Sequence, residues 1–153
     1  MLPGVAAALA RAREMGYLLF LHTNQSGVGR GMFTLAQAEA CNGRMVELIG
    51  LGEDLFADIC TAPEAPTQPV VYRKPSPKFA REMAAKHGLE LARCWMAGDY
   101  AVDVETAFAA GMRAALIDDG NVDAAQIAAW RNLGREVMLY PSLAKFIETL
   151  SPA

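Results

Sequence analysis

Short apolar runs alternate with amphipathic or alanine-rich segments along all 153 residues, and glycine, proline or small polar residues separate them. Parallel strands cannot be joined by tight turns, so strands spaced by helices of this size predict right-handed crossovers and a three-layer, Rossmann-like, mostly parallel α/β sheet. Residues 4–15 read as an alanine-rich helix closed by Gly16, and Tyr17 to His22 as a strand. Thr34 is placed to cap a helix running to about Ile49, with Gly50 and Gly52 as stops. Phe56 to Thr61 reads as the second strand, and the prolines from Ala62 to Pro69 mark a loop. After a strand-like Val70-Val71-Tyr72, Ser76 and Pro77 open a helix that Gly88 closes. Strands at Cys94 to Ala97, Arg113 to Ile117 and Glu136 to Tyr140 then alternate with helices at Tyr100 to Ala110, Val122 to Asn132 and Ser142 to Leu150.

A hydrophobic fraction of 53% with 20% charged residues describes an ordinary folded domain, and the reading places one domain over residues 1–153. The formal charge of −3 gives no basic footprint, so nucleic acid is not an expected partner. The apolar opening has no basic leader and runs directly into Arg11, Arg13 and Glu14, which reads as a helix, not a signal peptide or membrane segment. Cys41, Cys60 and Cys94 are dispersed, odd in number and outside any metal-ligand spacing, which suits reduced thiols in a cytoplasmic protein.

The first strand ends in Thr23-Asn-Gln-Ser-Gly-Val-Gly-Arg-Gly31. A hydroxyl, an amide and a glycine-rich backbone beyond the carboxyl end of a parallel strand are the donors that hold phosphate in such sheets, although a polar strand-to-helix turn is the plainer alternative. Lys74 lies between the strand-like segment and a capped helix, where its ammonium could oppose phosphoryl charge, and Arg73 could add planar contacts; solvated surface charge is the alternative for both. Asp99 follows Gly98 at a strand end and Asp103 comes four residues later, a spacing that would place two carboxylates on one helix face as Mg²⁺ ligands unless Asp99 is only a cap. Asp118-Asp119-Gly120 reads as a turn, because adjacent strand residues point to opposite faces. His22 reads as packed or hydrogen-bonded at its strand end, and Cys60 as buried.

Together the Thr23–Gly31 loop, Arg73-Lys-Pro-Ser-Pro77 and Gly98-Asp-Tyr-Ala-Val-Asp103 resemble, in order, motifs of the haloacid dehalogenase superfamily of phosphatases. Within it they look most like the branch of histidinol-phosphate phosphatase and D-glycero-D-manno-heptose 1,7-bisphosphate phosphatase. The resemblance implies Mg²⁺-dependent hydrolysis of a small phosphorylated metabolite, a sugar, polyol or amino-alcohol phosphate, through an aspartyl-phosphate and without a large cap domain. It makes Thr23, Asn24 and Lys74 catalytic, Gln25, Ser26, Arg30 and Arg73 substrate-binding, and Asp99 and Asp103 metal ligands, the latter directly or through water.

The sequence departs from the family in three places. The family's first, central strand carries an Asp-x-Asp nucleophile ahead of the helix that here begins near Gly4, and this sequence contains no Asp-x-Asp. The expectation is therefore a domain lacking that strand, through a misplaced gene start, a shortened chain or true loss, and nearly inactive as it stands. The branch commonly binds zinc before its lysine motif, whereas Cys60-Thr-Ala-Pro-Glu-Ala-Pro-Thr-Gln-Pro69 offers no second thiolate or histidine, so no zinc is expected. Tyr100 stands where heptose enzymes tend to carry lysine. The competing reading is a non-catalytic phosphate-binding or interaction module; oligomeric state is left open.

Overall fold

A computed structural model describes residues 2–118 and 120–153, so Asp119, half of the Asp118-Asp119 turn, lies outside the described residues. The chain forms two compact units, Met1–Arg73 with Ile147–Ala153, and Lys74–Phe146.

In the first unit, helix α1 (Val5–Glu14) is followed by strand β1 (Phe20–Asn24), a short helix α2 (Ser26–Gly29), a long helix α3 (Leu35–Ile49) and strand β2 (Asp58–Ala62). β1 and β2 pair in parallel, Phe20 opposite Asp58 through Asn24 opposite Ala62. The start of α3 is fixed by a reciprocal cap: the Gln37 N–H donates to Thr34 Oγ1 at 3.2 Å, and the Thr34 N–H donates to Gln37 Oε1 at 2.8 Å. Its end is fixed by Gly50, whose φ of 75° lies in the left-handed region that side chains with a Cβ avoid. β1 begins three residues later than the apolar run suggests and extends through Thr23 and Asn24, so both belong to the strand end itself. Val70–Tyr72 is not a strand. The N–H groups of Val71, Tyr72 and Arg73 all point to one carboxylate, which an extended chain with alternating N–H directions cannot do.

In the second unit, α4 (Lys78–His87), β3 (Trp95–Gly98), α5 (Ala101–Ala110), β4 (Arg113–Ile117), α6 (Ala124–Asn132) and β5 (Val137–Tyr140) succeed one another, and α7 (Leu143–Glu148) begins there. The strands pair in parallel in the order β3-β4-β5. β4 is the middle strand, and its consecutive residues Ala114, Ala115 and Leu116 are all buried. Burial of adjacent strand positions means that both faces of the sheet are covered, which parallel strands with helical crossovers require. Val104 and Ala107 of α5, Ile127 and Trp130 of α6, and Val122 and Val137 pack with Ala114 and Leu116 into one cluster. Trp95 and Tyr140 add a second contact, each meeting the Phe146 ring, at 5.3 and 5.2 Å between centroids.

Leu116 is only 1% exposed at the centre of this cluster. Replacing it with alanine should lower the unfolding free energy by about 2–5 kcal/mol in urea titrations, through lost transfer energy and a residual cavity. A change below half a kcal/mol would show that the cluster is not the core of this unit.

Candidate active site

β3 ends in Gly98, and its first neighbour beyond the strand is Asp99, so the carboxylate emerges at the carboxyl edge of the three-stranded sheet. α5 starts at Ala101, which leaves Asp99 outside the helix; the argument from a shared helix face therefore does not apply to Asp99 and Asp103. Asp103 instead sits in the first turn and folds back on the approach to the helix, where the Tyr100 N–H donates to its Oδ2 at 3.1 Å. Its other oxygen, Oδ1, accepts from Lys74 Nζ at 2.5 Å. The two side chains are 12% and 6% exposed, so this ion pair is largely removed from water.

Gly98 is what lets Asp103 approach. A Cβ at position 98 would stand 2.3 Å from Asp103 Cγ, far inside contact distance. The Gly98-Asp99 spacing thus has a packing cause independent of Asp99: the strand must end in a residue without a side chain for Asp103 to reach Lys74. Asp99 is half-buried, and Asn121 Nδ2 donates to its Oδ2 at a long 3.4 Å.

The other candidates lie in the first unit. Thr23 and Asn24 occupy the last two positions of β1, and Gln25 Nε2 donates to Thr23 Oγ1 at 3.2 Å. Asn42 of α3 donates to Thr61 Oγ1 at 2.9 Å, opposite Thr23 in the strand register. The glycine loop is tighter than a loop opened around an anion. Val28 and Arg30 N–H groups go to Gln25 and Ser26 carbonyls, Gly31 and Met32 N–H groups to Val28 and Gly27 carbonyls, and the Gly29 N–H to the Pro63 carbonyl at 2.9 Å. A Cβ on Gly29 would lie 2.5 Å from the Ala65 nitrogen, so this glycine serves close approach to the Pro63–Ala65 backbone. Arg30 is exposed, with its Nε near the Ser26 carbonyl at 3.4 Å.

Two further residues matter: Glu64, which carries little sequence signal, and His22, which is hydrogen-bonded on its strand as expected. Glu64, in the proline-rich loop after β2, accepts on Oε1 from Val71, Tyr72 and Arg73 N–H groups at 2.8, 2.5 and 3.2 Å. His22 Nε2 lies 2.8 Å from the Tyr72 carbonyl oxygen, and because that oxygen can only accept, Nε2 carries the proton. Neither contact follows from spacing in the sequence; the nearest hint was a glutamate among prolines, where no helix could place it on a solvated face. Cys60 is buried as expected.

No group of three His, Cys, Asp or Glu side chains converges as a metal cage among the described residues. The donor set nevertheless fits a largely hydrated Mg²⁺, which binds through one or two carboxylates and completes its shell with water and phosphate oxygens. Asp99 is the carboxylate suited to it, since both Asp103 oxygens are already engaged by Lys74 and Tyr100.

Residues 71–145 match the HAD-hydrolase-like family. Over 119 residues the chain is 32% identical to the D-glycero-beta-D-manno-heptose-1,7-bisphosphate 7-phosphatase of Pseudomonas aeruginosa, covering 78% of this chain and 67% of that one. The chain belongs to the haloacid dehalogenase superfamily, in the branch of the heptose bisphosphate phosphatases. The corresponding enzyme of Rhodopseudomonas palustris is 31% identical over 129 residues, covering 80% of this chain and 72% of that one. The crystal structure of D,D-heptose 1,7-bisphosphate phosphatase from B. bronchiseptica, complexed with magnesium and phosphate, superposes with a TM-score of 0.80 at 28% identity, over 96% of this chain and 81% of that one. The α/β architecture expected from the strand and helix alternation is thus that of the haloacid dehalogenase fold, and by resemblance the chain is a phosphoric monoester hydrolase.

Asp103→Ala should destabilise the protein by about 3–5 kcal/mol, because it leaves the Lys74 ammonium buried without its partner, while Lys74→Met together with Asp103→Leu should restore much of the loss. Urea unfolding measures both; equal stability of Asp103→Ala and the unaltered chain would show that the pair is solvated. A second expectation concerns pH. Burial pushes the Glu64 carboxyl up, but N–H donors from Tyr72, Glu64 itself, Val71 and Arg73 outweigh it and hold the group below the ordinary carboxylate value. Such a group adds stability above its ordinary pKa, and the addition is lost as the pH falls through the depressed folded value. Unfolding free energies measured from neutral to acid pH should therefore fall less steeply for Glu64→Gln than for the unaltered chain; parallel curves would contradict this.

Proposed function

We propose that the chain carries the machinery of an Mg²⁺-dependent phosphomonoester hydrolase for a small phosphorylated metabolite, with a sugar bisphosphate as the first candidate substrate. The observation that carries the reading is the buried Lys74–Asp103 pair next to Asp99 at a sheet's carboxyl edge. A lysine held there by a carboxylate is fixed in position, which suits its ammonium to oppose the charge of a transferring phosphoryl group. Thr23 and Asn24 end β1; on the resemblance of their motif to the family's, they would donate to phosphoryl oxygens, and Gln25, Ser26, Arg30 and Arg73 would bind the remainder of the substrate. Bound Mg²⁺ supplies electrostatic stabilisation of phosphate oxygens. Asp99 holds it directly, and Asp103 contributes indirectly by orienting Lys74. Zinc has no part in this reading: the loop after Cys60 offers no further thiolate or imidazole.

The relatives named as heptose bisphosphate phosphatases support the sugar substrate. No helix among the described residues is long and apolar enough to cross a membrane, and no disulfide joins the three cysteines, the thiol state on which the proposed cytoplasmic setting rests. No nucleic-acid partner enters the reading, and we propose that residues 1–153 act as part of one hydrolase domain. Because the 153 residues contain no Asp-x-Asp, covalent transfer needs a nucleophile from outside them. That same observation favours a second reading, a phosphate-binding module without turnover.

The decisive comparison is phosphate release from D-glycero-D-manno-heptose 1,7-bisphosphate and simpler sugar phosphates by the chain alone, and by the chain fused at its N-terminus to the Asp-x-Asp strand of the Pseudomonas aeruginosa relative. Turnover in the fusion alone, reduced by about 10²-fold or more in its Lys74→Ala variant, is the expected result. Binding without turnover in both would favour the module, and turnover by the chain alone would overturn the account of the nucleophile.

A further inference from the structure

The backbone from Val71 to Arg73 is held from both sides by side chains. On its donor side, three successive N–H groups converge on a single oxygen of Glu64. On its acceptor side, the Tyr72 carbonyl takes the His22 Nε2 proton. Successive N–H groups turned toward one point form a concave anion site, the arrangement by which loops elsewhere cradle phosphate. Here the anion is internal. The Glu64 carboxylate stays ionised because of those donors, and its second oxygen is buried with no hydrogen-bond partner among the described residues. A carboxylate with one oxygen buried and without a hydrogen bond is a costly way to hold a loop that an ordinary turn could hold. That the clamped segment ends in Arg73 suggests what the arrangement is for.

We infer that Glu64, with His22, is a positioning residue that clamps the Val71–Arg73 backbone and so fixes the point from which the Arg73 side chain is presented to a phosphorylated ligand. The inference rests on the phosphate-site reading above and deepens it by naming what sets the arginine. A proline-flanked loop with no repeating hydrogen-bond pattern of its own would otherwise sample many conformations, and each would aim the guanidinium differently. The carboxylate performs here, within the loop, the organising task for which other proteins recruit a metal ion.

Inorganic phosphate titrated into the full chain, followed by amide chemical shifts, tests this in the unaltered protein and in Glu64→Gln, Glu64→Ala, Arg73→Ala and the double variant Glu64→Ala/Arg73→Ala. Hydrogen exchange of the Val71, Tyr72 and Arg73 amides is measured on the same samples. We expect exchange at these amides to rise roughly tenfold or more in Glu64→Ala, where the acceptor is removed, and by less in Glu64→Gln, whose neutral amide oxygen accepts more weakly. Phosphate affinity should fall by about tenfold in Glu64→Ala and in Arg73→Ala, with little further loss in the double variant, because both act through one contact. Should Glu64→Ala fail to fold, the milder Glu64→Gln carries the same comparison. Freed amides with unchanged phosphate affinity, or losses that add in the double variant, would overturn the positioning role. Unchanged exchange in Glu64→Ala, or in Glu64→Leu should the alanine variant not fold, would overturn the clamp itself. Absence of phosphate binding by the unaltered chain would instead refute the phosphate-site reading, and the positioning role with it, while the exchange data would still report on the clamp.

Discussion

The largely buried Lys74–Asp103 ion pair is the interaction around which the end of β3 and the start of α5 are arranged. Two nearly buried charges are unfavourable unless each finds the other and their remaining valences are met, and here the Tyr100 N–H supplies the additional donor to Asp103. The pair also explains residues that touch no substrate. Gly98 is required because any side chain there would occupy the position of the Asp103 carboxylate. Asp103 must stand in the first turn of its helix, where the carboxylate can reach both the backbone before it and the lysine. A short strand, a glycine and a helix start therefore form one device for holding an ammonium group in place.

Beside this device Asp99 is left comparatively unencumbered, with one long contact to Asn121. The two acids thus divide the work that a simple count of carboxylates would assign to both. Asp103 is engaged by Lys74 and Tyr100, and in the proposed function Asp99 is the acid that would hold the metal. Mg²⁺ tolerates that economy because it keeps much of its hydration shell and draws further oxygens from phosphate. The acid pair is consequently asymmetric in role although it is symmetric in residue type.

Much of this was legible in the sequence, and for identifiable reasons. Helix ends written by Thr34, Gly50, Gly88 and Gly111 fall where capping chemistry puts them. β4 matches its expected range, Arg113–Ile117, residue for residue, because a strand covered on both faces is apolar through its interior, here residues 114–117, and is bounded by the charged Arg113 and Asp118. β1 was placed too early because its pattern continues into Thr23 and Asn24, polar residues whose strand geometry is imposed by pairing with β2. Val70–Tyr72 has the composition of a strand, but Glu64 gathers its N–H groups into a bend, a tertiary effect that overrides local propensity. The glycine segment reads as either an anion cradle or a polar strand-to-helix turn, and most of its donors close on its own carbonyls and on Pro63, as in the turn. Long-range contacts of single side chains, Glu64 above all, leave no periodic trace in a sequence.

The central claim is that Asp99 holds a metal at the phosphate which Lys74 stabilises. Manganese can replace magnesium as a paramagnetic probe, and the ³¹P relaxation of inorganic phosphate in the presence of the chain and Mn²⁺ reports their proximity directly. Strong relaxation enhancement is expected in the unaltered chain, disappearing in Asp99→Asn with the fold intact. Enhancement of equal size in Asp99→Asn, or none in the unaltered chain under saturating phosphate, would contradict it.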